Sequence, residues 1–160
     1  MLLLTILYGV VEVSFLMRDA IVVSSASRAG ARMGSSLPRY STFATDTKDQ
    51  VEDALAGVQM SRVNKVWVFK ANAATGLPDS GNFTTCTVCV KFKGSGSSLV
   101  SDGGTWAYTS QNACAGSQDM LGVYVEYRYP SRLGFLFNSK ILTESTVMKL
   151  EPYTGLGACS

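Results

Sequence analysis

Residues 1–17, MLLLTILYGVVEVSFLM, form a nearly unbroken apolar run in which Glu12 is the single charge before Arg18 and Asp19 end it. As a helix this run extends about 25 Å, slightly short of a ~30 Å hydrocarbon core. Hydrophobicity on every face points to a membrane or filament-core helix rather than a buried core helix of a soluble protein. The helical pattern continues from Asp19 through AIVVSSASRAGARMG, with no proline before Pro38. Ala20, Ser24, Ser25, Ala26, Ser27, Ala29, Gly30 and Ala31 are small, so another backbone can approach closely. Arg28 and Arg32 fall on one face near the C-terminal end, where positive charge suits the helix dipole. Gly34 suits the position after the last helical residue, and Pro38 opposes continuation. One helix is therefore predicted over residues 2–33, about 50 Å long. Its first half is apolar enough for lipid, and its second half is amphipathic and should pack on the rest of the chain.

The period then changes. Thr45 or Asp46 can cap a short helix over 47–58, where Val51, Ala54, Leu55 and Val58 share one face. VNKVWVFKA (63–71) is rich in β-formers. In 83–93, Cys86, Val88, Val90 and Phe92 alternate with Thr85, Thr87, Lys91 and Lys93. In 121–129, Leu121, Val123, Val125, Tyr127 and Tyr129 alternate with Tyr124, Glu126 and Arg128. Both are one-side-buried patterns typical of antiparallel sheets. TVMKLE (146–151) reads as an edge strand before Pro152. A Gly/Ser-rich loop of about 25 residues separates the second and third strands, anchored by Trp106 and Cys114, and reads as a tied-down surface flap. The predicted fold class is α+β, with a long N-terminal apolar helix (1–34) packed on a small antiparallel sheet domain (35–160).

Composition narrows the function classes. The chain has 160 residues, 16% charged, a net charge of +2 and no histidine. Imidazole-based nucleophile systems and zinc sites with histidine ligands are therefore excluded. The charge is too small and too scattered for a nucleic-acid footprint. No catalytic motif, cofactor motif or metal cluster is readable, so a non-enzymatic role is expected.

Cys86, Cys89, Cys114 and Cys159 make an even set in the C-terminal half, which fits disulfides formed in an oxidising compartment. Within a strand, residues three apart have Cα atoms about 10 Å apart, beyond the ~7 Å limit for a bridge. Cys86 and Cys89 are therefore expected not to pair with each other. Two connectivities remain, of which Cys89–Cys114 with Cys86–Cys159 would close the long loop and tie down the C-terminus.

GVVEVSFLMRDAIVVSSASRAGARMG (9–34) resembles the N-terminal helix of TadE-like tight-adherence minor pilins. These carry a Gly-aliphatic-aliphatic-Glu step, an apolar helix and an Arg-Glu-Gly-Ala-Arg-like run, here Arg28-Ala29-Gly30-Ala31-Arg32. VMKLEP (147–152) resembles the family's tail. The family's peptidase site lies upstream of the glutamate step and has no counterpart before Gly9. The resemblance implies a structural subunit of a type IV-like pilus, anchored in the bacterial inner membrane before assembly and packed through its N-terminal helix in the extracellular filament. Its implied partners are other pilin subunits, the pilus assembly machinery and the membrane. The alternative from the residues alone is a single-pass membrane-anchored binding domain. Glu12, Arg18, Arg28 and Arg32 are the candidate assembly and anchor residues. Glu12 has no cation at helical spacing, so a partner is expected from a neighbouring helix, where a buried polar group can set register.

Overall fold

The computed structural model describes residues 2–132, 134 and 138–153. Helix α1 spans Leu2–Ser36 and helix α2 spans Phe43–Ala54. Strands follow at β1 (Val63–Ala71), β2 (Cys89–Ser95), β3 (Ser98–Ser101), β4 (Met120–Pro130) and β5 (Ser139–Lys149). They form one antiparallel sheet in the order β3-β2-β1-β4-β5. The α+β expectation holds, as does the long N-terminal helix.

The two faces of the sheet sort as the period-two pattern predicts. Val66, Val68, Phe92, Leu121, Val123, Val125, Tyr127 and Tyr129 share one core with Val23, Ala26 and Ala31 of α1 and Val51 and Leu55 of α2. Both helices thus lie on this face, driven there by apolar burial. The small residues of α1 are used inside the domain. A Cβ at Gly34 would sit 2.8 Å from Thr47 Oγ1 and 2.9 Å from Leu121 Cδ1, and one at Gly30 would collide with Val51. Glycine is what lets α1, α2 and β4 converge here.

On the opposite face Trp67, Phe69, Cys89 and Tyr124 are covered by the segment between β1 and β2. Phe83 stacks on Tyr124 with ring centroids 4.1 Å apart and meets Phe69 edge-on. This segment overturns the pairing expected for Cys86 and Cys89. The strand begins at Cys89 rather than before Cys86, and the chain bends at Thr87. The two Cα atoms therefore approach to 6.1 Å, and Cys86–Cys89 is a disulfide. Because Cys86 and Cys89 take each other, neither link of the preferred connectivity, Cys89–Cys114 or Cys86–Cys159, is made; Cys114 is disulfide-bonded too. Cys159 lies outside the described residues.

Other boundaries differ from expectation as well: α1 continues through Gly34 to Ser36 rather than ending at 33, and α2 spans Phe43–Ala54 rather than 47–58. The 25-residue loop contains β3, which pairs with β2 across a two-residue turn at Gly96-Ser97, with Gly96 at φ +61°. Glycine at the first of two turn positions suits a tight hairpin. The edge strand begins at Ser139 rather than 146 and pairs along the full length of β4. The rest of the long loop is tied down, as the flap reading supposed. Trp106 is buried against Phe43. The backbone amide of Arg39 and its guanidinium donate to the side chain and carbonyl of Gln111, each at 2.6 Å. Asp119 pairs with Lys70 at 2.8 Å and accepts from the Asn112 amide at 2.9 Å.

Candidate functional site

The first turns of α1, nearly three of them, stand clear of the domain. Leu2, Leu3, Leu4, Ile6, Leu7, Tyr8, Val10 and Val11 are all exposed, Leu2 to 74% and Leu3 to 82%. A helix of ten residues, Leu2–Val11, extends about 15 Å. Such a contiguous apolar surface marks a place that another apolar surface covers. Among the described residues no helix is long and apolar enough to cross a membrane. The reason lies in the composition of α1, where Glu12, Arg18 and Asp19 interrupt the run.

The free arm ends abruptly at Glu12, which is only 1% exposed. Its carboxylate accepts hydrogen bonds from the Tyr129 hydroxyl at 2.9 Å and from the Arg132 backbone amide at 3.1 Å. The Arg132 guanidinium lies 4.7 Å from the centre of the Phe15 ring, closing the same corner as a cation–π contact. The partner expected on a neighbouring subunit's helix is thus supplied by the chain itself. Seven residues on, Asp19 is fully buried and meets the Tyr127 hydroxyl at 3.5 Å. The two acids of α1 are therefore keyed to the two inward tyrosines at the end of β4. Burial pushes the Asp19 carboxyl above its usual range, against the pull of Arg132, Arg18 and Tyr127. Burial and the hydrogen bond to Glu12 push Tyr129 up to about 12.

Beyond this seam of two acids and two tyrosines, α1 makes polar contacts with β5 and the residues after it. Ser27 Oγ lies 2.9 Å from Thr146 Oγ1, and the Glu151 amide donates to the Ser35 carbonyl at 2.9 Å. Arg18, Arg28 and Arg32 are exposed on α1, and among the described residues none of them makes an ion pair. The structure thus divides the four candidate residues. Glu12 belongs to the domain's interior, while the three arginines face outward.

The sequence pattern gave no sign of a polar cluster on the opposite sheet face. There Glu126 accepts from Asn64 at 3.0 Å and from Tyr124 at 3.1 Å, and pairs with Lys65 at 3.1 Å. Burial alone would raise the Glu126 carboxyl, but these three donors outweigh it and hold the group below its usual range. Cross-strand register, with Lys65 opposite Glu126, is the signal that identifies it. The cluster is an internally satisfied ion pair network, and it staples β1 to β4.

Compared with known family models, with curated proteins and with solved structures, the chain matches none of them.

Proposed function

We propose that this protein is a structural subunit of a filament of the type IV-like, tight-adherence kind, assembling through its N-terminal helix. The observation that carries this reading is the apolar arm Leu2–Val11, rigidly continuous with a helix clamped to a folded domain. An arm of this kind cannot be left in water at no cost. At about 25 cal/mol per Å² of apolar surface, its covering is a driving force of several kcal/mol. Before assembly the arm is held in the apolar layer of the bacterial inner membrane; in the filament it exchanges lipid contacts for helices of neighbouring copies. That exchange is nearly balanced, since lipid tails are as apolar as leucine, so assembly machinery can drive it. The resemblance of residues 9–34 and 147–152 to the end motifs of tight-adherence pilins supports the same reading.

Electron microscopy of sheared surface material, labelled with antibody against this chain, tests it. Label along or at the tip of filaments is the expected result. Protein found only as a membrane-bound monomer would instead make it an anchored binding domain.

A further inference from the structure

Two stripes on the helical layer face solvent and carry opposite charge. On α1 the exposed positions include Ser25, Arg28 and Arg32; on α2 they include Thr45, Asp49 and Asp53. Arg28 and Arg32 are four residues apart, and so are Asp49 and Asp53, which gives each pair the same rise of about 6 Å along its helix. Among the described residues Arg28, Arg32 and Asp53 enter no ion pair, and Asp49 is paired only with its neighbour Lys48 at 2.5 Å. Isolated helices usually place charges of opposite sign on one face to satisfy each other. Here the two exposed pairs, arginines on α1 and aspartates on α2, have matching spacing, and neither is neutralised by the other within the described residues, although Lys48 of α2 offsets Asp49.

We propose that the Arg28–Arg32 stripe of one copy docks, helix against helix, on the Asp49–Asp53 stripe of a second copy, and that this contact sets the register between neighbouring subunits. The proposal rests on the assembly reading above and gives it a specific interface. Ser25, on the same side of α1, is small and lets a second helix come to ordinary packing distance. Stripe and counter-stripe lie on different helices, so a contact made through one leaves the other open, and the association can propagate. Exposed ion pairs contribute little to affinity. Their role is to choose the partner surface and its alignment, while the apolar arm supplies the driving force. The contact should weaken with added salt, because exposed pairs are screened.

The test uses the full chain held in mild detergent, with assembly started by detergent removal and read by sedimentation and electron microscopy. Two variants reverse one stripe each, Arg28→Glu with Arg32→Glu, and Asp49→Lys with Asp53→Lys. Far-UV circular dichroism confirms that each is folded, as expected for exposed positions. Each variant alone should lose about tenfold in assembled fraction, and an equimolar mixture of the two should recover it, because each then offers the complement the other lacks. Wild-type-like assembly by either variant alone, or a mixture that fails to recover, overturns the interface while leaving the arm-driven reading intact. Failure of the wild-type chain to assemble at all removes the assembly reading and this interface with it. If the arginine reversal instead abolishes binding to anionic phosphatidylglycerol vesicles and the mixture does not restore assembly, the stripe reads lipid and the proposal is wrong.

Discussion

The Glu12 carboxylate and the Tyr129 hydroxyl, 117 residues apart in sequence, meet at 2.9 Å in the interior of the protein. This contact decides where the helix stops being an arm and becomes part of a domain. It also changes what a substitution there should do. Glu12→Leu removes the acceptor shared by the buried Tyr129 hydroxyl and the part-buried Arg132 amide, at a cost of about 1–3 kcal/mol. The variant should therefore unfold at clearly lower urea concentration, whatever its effect on assembly. Glu12→Gln keeps an acceptor and should lose less. Equal urea midpoints for wild type and Glu12→Leu would show that the carboxylate carries no share of the fold.

The apolar run and the free arm end at different residues, Met17 and Val11, and truncations can separate them. Removing residues 2–11 takes away only exposed side chains. The melting temperature should stay within a few degrees of the full chain, and sedimentable assemblies should disappear. Removing residues 2–17 also deletes Glu12 together with Phe15 and Leu16, which pack against the core. That loss should cost several kcal/mol, and with it about 10 °C in melting temperature. Identical melting curves for the two truncations would place the domain boundary after Met17 instead.

What could be read from the sequence followed the strength of the periodic signal. Strand β1 matches its expected range 63–71, because a central strand with β-formers throughout leaves little freedom. Strand β4 exceeds its expected range by one residue at each end, and its five alternating apolar residues all reach the helix side. Strand β5 was legible only over its last turns of sequence. From Ser139 to Ser145 it is an edge strand with mostly exposed polar positions, which leave no hydrophobic alternation to detect. Cys86 fell within an alternating stretch, but alternation does not show where pairing begins. Pairing in β2 starts at Cys89, and the bend before it reversed the face on which Cys86 lies. The seam residues were half legible. Glu12 was conspicuous as a charge in an apolar run, while its partners came from β4 and the turn after it, a tertiary fact that spacing along α1 does not encode.

The Cys86–Cys89 disulfide closes a very short loop, so its stabilisation lies near the low end of the usual range, about 2 kcal/mol on a chain-entropy basis. Cys86→Ser with Cys89→Ser should lower stability by about that amount and loosen the cover over Trp67 and Tyr124. The helix side of the sheet should be unaffected. Peptide mapping of the non-reduced protein by mass spectrometry checks the linkage directly, and a Cys89–Cys114 peptide in that map would contradict the bend at Thr87.

Asp19 gives the seam a dependence on pH whose sign can be worked out. Its carboxyl is buried, one oxygen has no hydrogen-bond partner among the described residues, and the folded-state pKa is raised above 3.8 by desolvation. A carboxyl that holds its proton more tightly in the folded state contributes stability below the unfolded pKa and loses it as pH rises through the folded pKa. Glu126 has the opposite sign. Its pKa is held below 4.5, so its contribution is present above that value and is lost as pH falls through the lowered pKa. The Asp19 window opens above 3.8 and the Glu126 window closes at 4.5, so of these two groups only Asp19 contributes slope above about pH 4.5. Asp19→Asn cannot ionise, and the amide still offers the Tyr127 hydroxyl an acceptor. Urea denaturation from about pH 4 to pH 7 should show wild-type stability falling relative to Asp19→Asn across the lower part of that range. Parallel profiles for the two proteins would mean that Asp19 is ionised at little cost, with Arg132 and Arg18 outweighing its burial.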